Sequence, residues 1–389
     1  MFANRTNWEL IPNEMTQLRE ALIRQGIKII DLTESNPTRC GFSYLGQDLL
    51  KPFVDSRNVQ YQPSAYGLLE ARQAVCRYYL RYGLPVDPKR VILTASTSEA
   101  YSFLFRLLAN PAETVLFPCP SYPLFEFLVD LNDVHSGTYP LVYDDGWRVD
   151  LVAFESVIME NPKAVVLVNP NNPTGSFIKP AEMETIGALC RSQSVPIISD
   201  EVFLDYRHQD SASAVSLLQT EQCLSFTLGG LSKTLGLPQM KLSWMIVNGP
   251  DDLVNEALAR LEVIADAYLS VNTPVQNALP YWLEKHVSIQ AEIKNRLQQN
   301  RTFLHKAVSE RKDVRCLKSE GGWYAMLRLY GSWEEEPLVL TLLHEDHICV
   351  HPGYFYDYLD QTCLVISLLL PVPEFQEGIF RLLKRLDAR

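Results

Sequence analysis

The sequence has no C-x-x-C pair, no Gly/Ser-rich linker, no repeat period and no apolar run long enough to cross a bilayer. Each absence removes a class of protein. The eight cysteines, at positions 40, 76, 119, 190, 223, 316, 349 and 363, are scattered. That argues against a zinc ribbon or a disulfide framework, and for a reducing, cytoplasmic setting. The first fifteen residues carry Arg5, Glu9 and Glu14 without an apolar stretch, so no secretory signal is expected. The longest apolar run, 363–372, is interrupted by Ser367 and Pro371 and is too short for a membrane span. A basic excess is missing as well. With 46 acidic against 35 basic side chains the net charge is −11, which speaks against nucleic acid as a partner. What remains is a chain of 389 residues, 47% hydrophobic and 21% charged, large enough for a globular core.

Short apolar runs at 91–94, 165–169 and 196–200 alternate with longer helical patterns. The run Val195-Pro-Ile-Ile-Ser-Asp is rich in β-branched residues, as in a strand buried on both faces. Before it, Met183, Ile186, Leu189 and Cys190 recur at helical spacing. Repeated helix–strand units predict an α/β protein: a mostly parallel sheet with helices on both faces. Past Pro250 the pattern changes to a helix over 253–267, one long or broken helix over 275–307, strands near 322–330 and 364–368, and a closing helix from Glu374. This predicts a large domain over 45–276 and a smaller α+β domain built from 1–44 and 277–389.

Four local features bear on chemistry, and in an open α/β sheet they converge beyond the carboxyl ends of the strands. Thr94-Ala-Ser-Thr-Ser-Glu-Ala100 runs from a strand into a helix, where hydroxyls and first-turn N–H groups can meet an anion. On its own it reads equally as a helix cap. Asn169-Pro-Asn-Asn-Pro-Thr-Gly175 fixes a rigid turn that can aim an amide into a crevice. Ser199-Asp-Glu201 ends the next strand, and a carboxylate there is costly to desolvate unless it meets a cation or proton donor. Gly229-Gly-Leu-Ser-Lys-Thr-Leu-Gly236 sets a lysine among small residues after an apolar strand. Partial burial there favours a neutral, nucleophilic amine.

In this order and at these separations the four motifs resemble the class I/II aminotransferases, the fold-type I pyridoxal-phosphate enzymes related to aspartate aminotransferase. The resemblance covers most of the chain, from the 33–38 loop to the C-terminal strand. It implies pyridoxal 5′-phosphate as cofactor and transfer of an amino group from an amino donor to a 2-oxo acid acceptor, through a lysine Schiff base and a pyridoxamine form. Carried over by motif, Lys233 is the lysine that binds the cofactor and then moves a proton. Asp200 lies beneath the ring nitrogen, Asn172 at the ring's 3-oxygen and Tyr122 on the ring face. Ser96, Thr97 and Ser98 hold the phosphate. Tyr61, in Tyr-x-Pro-x-Ala, reaches the phosphate of a neighbouring subunit, implying a homodimer with shared sites that Asn272 also approaches. Cis peptide bonds are expected before Pro120 and Pro173. A lyase or decarboxylase on the same cofactor is the enzymatic alternative. A non-catalytic protein that keeps the fold as a sensor is the other, and intact Lys233 and Asp200 argue against it.

Three positions depart from the family pattern. Phe203 stands three residues after the aspartate, where a tyrosine is usual, so the ring's 3-oxygen loses a donor and becomes more basic. Lys241 stands eight residues after the lysine in place of a phosphate-binding arginine, offering a point charge instead of a fork. Near Leu364-Val-Ile-Ser-Leu368, Val365 takes the place of the arginine that clamps the substrate α-carboxylate. Arg39, after the Ser35-Asn36-Pro37 loop that borders the substrate, is the candidate replacement. Loss of the clamp is equally expected of a substrate without an α-carboxylate. His344, His347 and His351 lack the His-Glu-x-x-His spacing of a zinc helix, so no metal is expected and these are read as structural, with His351 a candidate rim residue. Gly321-Gly-Trp-Tyr324 starts a strand from which Trp323 or Tyr324 can touch substrate, with core packing the favoured reading for both.

Overall fold

The computed structural model describes residues 1–44, 46–208, 216–220 and 222–388. A short strand, β1 (Ile30–Asp31), precedes the main sheet. That sheet contains β2 (Val91–Thr94), β3 (Thr114–Cys119), β4 (His135–Tyr143), β5 (Trp147–Val149), β6 (Ala164–Val168), β7 (Ile197–Asp200), β8 (Ser225–Gly230) and β9 (Ser243–Asn248). Its spatial order is β2-β9-β8-β7-β6-β3-β4-β5. Strands β4, β3, β6, β7 and β8 are parallel neighbours, while β9 runs antiparallel between β8 and β2, and β5 pairs antiparallel with β4. The mostly parallel sheet read from the sequence is therefore present.

Every residue of β6, β7 and β8 is buried, because helices cover both faces. The period-2 pleat sorts them: Val165 and Leu167 pack with Ile186 and Cys190, whereas Val166 and Val168 pack with Leu104, Phe105 and Leu261. Burying each such side chain contributes about 1.5–3 kcal/mol, so neither face tolerates a charge.

A smaller antiparallel sheet lies C-terminal. Its strands β10 (Val314–Cys316), β11 (Tyr324–Leu329), β13 (His351–Pro352) and β14 (Cys363–Ser367) order as β10-β11-β14-β13. Between them in sequence, β12 (Ile348–Cys349) pairs in parallel with β1, which ties the N-terminal segment to the C-terminal part of the chain. The helical stretch expected over 275–307 is two helices, Thr273–Glu284 and His286–Val308, broken at Lys285. The helix Val372–Asp387 closes the fold. Among the described residues, no helix is long and apolar enough to cross a membrane.

Candidate active site

The carboxyl ends of β3, β6, β7 and β8 point the same way, and the antiparallel β9 begins beside the end of β8, with Ser243 opposite Gly230. This brings together residues far apart in sequence. Asp200, the last residue of β7, is buried and takes hydrogen bonds from the Tyr101 hydroxyl (3.1 Å) and the Val202 N–H (3.2 Å). Desolvation pushes its carboxyl up to about 6, against the lowering effect of those two donors and of Lys233. Its neighbour Glu201 faces the other way, onto Ser199, Ser216 and the Leu217 N–H at 2.7–2.9 Å, and anchors the loop after β7.

Lys233 sits in the single turn Leu231–Thr234 that follows β8. Burial lowers its amine to about 8, partly offset by Asp200. The Nζ atom lies 5.4 Å from the Phe203 ring centroid and 5.1 Å from that of Trp323. The turn is fixed from behind by the Tyr206 hydroxyl, which donates to the Lys233 and Thr234 carbonyls at 2.8 and 3.2 Å. A side chain at Gly230 would collide with Ser243, so close strand approach demands glycine there.

The Asn169–Gly175 turn contains cis bonds before Pro170 and Pro173, and a third cis bond precedes Pro120. The bonds expected before Pro120 and Pro173 are thus observed, and the one before Pro170 is additional. Asn171 builds this turn: its Oδ1 accepts from the Thr174 N–H and hydroxyl, and its Nδ2 donates to the Pro120 carbonyl. Asn172 is left to point inward. It is 7% exposed, and its Oδ1 has no partner among the described residues. Gly175, at φ +67°, accepts at its carbonyl from the Glu320 and Gly321 N–H groups. That contact delivers Trp323 and Tyr324 to the site. The Tyr324 hydroxyl lies beside the Ser35 and Asn172 side chains and feels Tyr122. Trp323 and Tyr324 therefore line the site as well as packing the core, so both readings offered by the sequence hold together.

Ser96 caps the helix Thr97–Leu108, its hydroxyl accepting from the Glu99 N–H at 3.1 Å. Thr97 and Ser98 occupy the first turn and are half-buried, so the positive end of the helix faces the same crevice. Tyr101 stands one turn on from Thr97, which is how its hydroxyl reaches Asp200. Tyr122, 44% exposed, follows the cis Cys119–Pro120 bond. Lys241 is exposed with φ +49°, two residues before Ser243. Asn36 spends its side chain on the Thr38 N–H and hydroxyl, building the turn Pro37–Arg39. The Arg39 side chain is 72% exposed and pairs with Glu34 at 3.6 Å. Tyr61 is also exposed, and Asn272 caps the helix Thr273–Glu284.

An amide oxygen and a carboxylate that, among the described residues, have respectively no hydrogen-bond donor and only a phenol and an N–H, with a partly neutral amine between two aromatic rings, fit a flat, cationic, carbonyl-bearing cofactor. The sequence profile described as "Aminotransferase class I and II" matches residues 28–380. The chain belongs to this family. It is a pyridoxal-phosphate-dependent aminotransferase. The "Glutamate-pyruvate aminotransferase AlaA" of Haemophilus influenzae is 26% identical over 94% of this chain and 92% of its own length. The "Alanine aminotransferase" of Mycobacterium bovis is 29% identical over 86% of this chain and 80% of its own. In fold, the chain superposes on the alanine aminotransferase of Pyrococcus furiosus with a TM-score of 0.91 at 24% identity, over the whole of both chains.

Proposed function

We propose that this aminotransferase moves the amino group of an α-amino acid to a 2-oxo acid, with Lys233 binding the cofactor and then carrying the proton. The observation that supports this most is geometric: at the ends of adjacent strands, the Lys233 amine is buried between the Phe203 and Trp323 rings and the Asp200 carboxylate is buried against the Tyr101 hydroxyl, an arrangement whose desolvation lowers the amine's pKa and raises the carboxyl's. When bound, pyridoxal 5′-phosphate supplies a ring that accepts the electron pair left as the α-hydrogen departs. Asp200 would hold a proton at the ring nitrogen. Asn172 would donate to the ring's 3-oxygen, with Tyr122 and Phe203 beside the ring. The first-turn groups of Ser96, Thr97 and Ser98, with Lys241, would hold the phosphate. Ser35, Asn36 and Arg39 form the loop on the substrate side. Phe203 and Trp323 exclude water from the lysine and keep a fraction of it neutral at pH 7, ready to take a proton.

The exposed Tyr61 supports a homodimer in which each copy completes its partner's phosphate site. Eight free cysteines support a reducing, cytoplasmic compartment. The relatives' names make alanine and glutamate the first donors to try, and pyruvate the first acceptor. The test is product balance: one new 2-oxo acid for each new amino acid. Release of carbon dioxide or ammonia instead would move the reading to decarboxylation or elimination.

Two further outcomes follow from the site. Covalent capture of the cofactor by the apoprotein requires the neutral amine of Lys233, whose pKa is lowered. Its rate, read by stopped-flow absorbance, should therefore rise with pH and level off above about 8. Tyr101→Phe removes a donor to the Asp200 carboxylate while preserving the ring. It should lower kcat about 10-fold, the scale of one hydrogen bond to a charged group, and leave substrate KM nearly unchanged.

A further inference from the structure

The register of the small sheet says which side chains surround Val365. On β11 and β14, Tyr324 stands opposite Ser367 and Met326 opposite Val365, while on β13 His351 stands opposite Val365 from the other side. Directly opposed residues share a face, so Tyr324, Met326, Val365, Ser367 and His351 all lie on one. Tyr324 marks that face as the one turned to the site, since its hydroxyl lies beside Ser35 and Asn172. A side chain at position 365 thus projects toward the substrate, and here it is a fully buried valine with nothing to offer a carboxylate.

The residue beside it has something to offer. His351 is half-buried, and its Nδ1 lies 3.1 Å from the Tyr356 hydroxyl, which leaves the Nε2 edge as the ring's other polar position. Phe355 packs on the ring at 5.6 Å. Tyr356 feels the hydroxyls of both Tyr324 and Tyr122, and its carbonyl accepts from the Ser121 N–H at 3.0 Å, joining this turn to the loop that carries Tyr122. One buried hydroxyl nearby, Ser121 Oγ, has no partner among the described residues; its side chain is 6% exposed. An unpaired buried donor that adjoins this cluster points to an acceptor that completes it. Arg328, farther along the same face, already donates to the Tyr358 hydroxyl at 2.7 Å, and Arg39 is turned to solvent.

We propose that His351, held by Tyr356, receives the substrate's α-carboxylate at the place where Val365 has displaced an arginine, making His351 a specificity-determining residue. The inference rests on the aminotransferase reading above. Its test uses two ligands that differ only by the carboxylate, 2-aminoisobutyrate and isopropylamine. 2-Aminoisobutyrate has no α-hydrogen to lose, whereas isopropylamine has one, so binding is read for both as the initial absorbance change of the cofactor-loaded protein, before any turnover. His351→Leu should weaken 2-aminoisobutyrate about 10- to 100-fold and leave isopropylamine and the cofactor spectrum unchanged. Adding Val365→Arg to that variant should restore most of the loss. Tyr356→Phe, which keeps the ring, should weaken the amino acid about 3- to 10-fold and covers the case that His351→Leu does not fold. Equal weakening of both ligands, or no weakening of the amino acid in either single variant, would overturn the proposal alone. If the wild-type spectrum answers no amino compound at all, the aminotransferase reading falls, and this proposal with it.

Discussion

Lys233→Ala should lower kcat by roughly 10³- to 10⁴-fold if, as proposed, it removes the nucleophile that captures the cofactor and the base that moves the proton. No described neighbour is placed to substitute: the faces nearest Nζ are the Phe203 and Trp323 rings, which carry no proton to exchange there. The loss should therefore have two separable parts. Borohydride treatment of the loaded wild type should add the cofactor's mass to the peptide that contains Lys233, and the variant should take up none. Added methylamine should restore part of the rate in Lys233→Ala, since a small free amine can enter the space left by the side chain. Lys233→Arg keeps the positive charge without a neutral form near pH 7, and should be as inactive as the alanine variant.

Asp200→Asn should cost about 3–5 kcal/mol at the transition state, or roughly 10²- to 10⁴-fold in kcat, the scale of removing one partner from a buried charge pair. Its effect on folding should have the opposite sign. Burial raises the carboxyl from 3.8 to about 6, so the folded chain prefers the protonated form. That preference contributes stability below pH 4, and the contribution is lost as pH rises through 6. At pH 7 the neutral asparagine avoids the cost, so the variant apoprotein should melt at the wild-type temperature or above it. An inactive variant that is also markedly less stable would make Asp200 a structural residue instead of a ring partner.

The parallel sheet was legible because strands covered on both faces must be apolar throughout. That shows in the sequence as Val-Val-Leu-Val at 165–168 and Ile-Ile at 197–198. Motifs that sit at strand ends were legible for the same reason, since each strand announces where its terminus falls. Tyr101 was not foreseen. Its role depends on a helix turn bringing a hydroxyl to a residue 99 positions away, and an aromatic residue in an apolar helix looks the same whether it packs or donates. For the same reason the sequence cannot decide between core and site for Tyr324 and Trp323, and their place at the site becomes visible through the backbone bonds between Gly175 and residues 320–321. The face shared by Val365 and His351 is set by strand register, which a lone two-residue strand such as β13 does not reveal in sequence.

If Lys233 and Asp200 together run a reversible amino transfer, the absorption spectrum of the cofactor-loaded protein should show both half-reactions during sequential addition of L-alanine and a 2-oxo acid. The predicted result is a shift of the visible band to that of the amine form of the cofactor with alanine, one pyruvate per site, and full return of the band when the 2-oxo acid is added. A band that alanine, glutamate and a wider panel of amino acids leave in place, or that shifts with release of carbon dioxide and does not return, would contradict it.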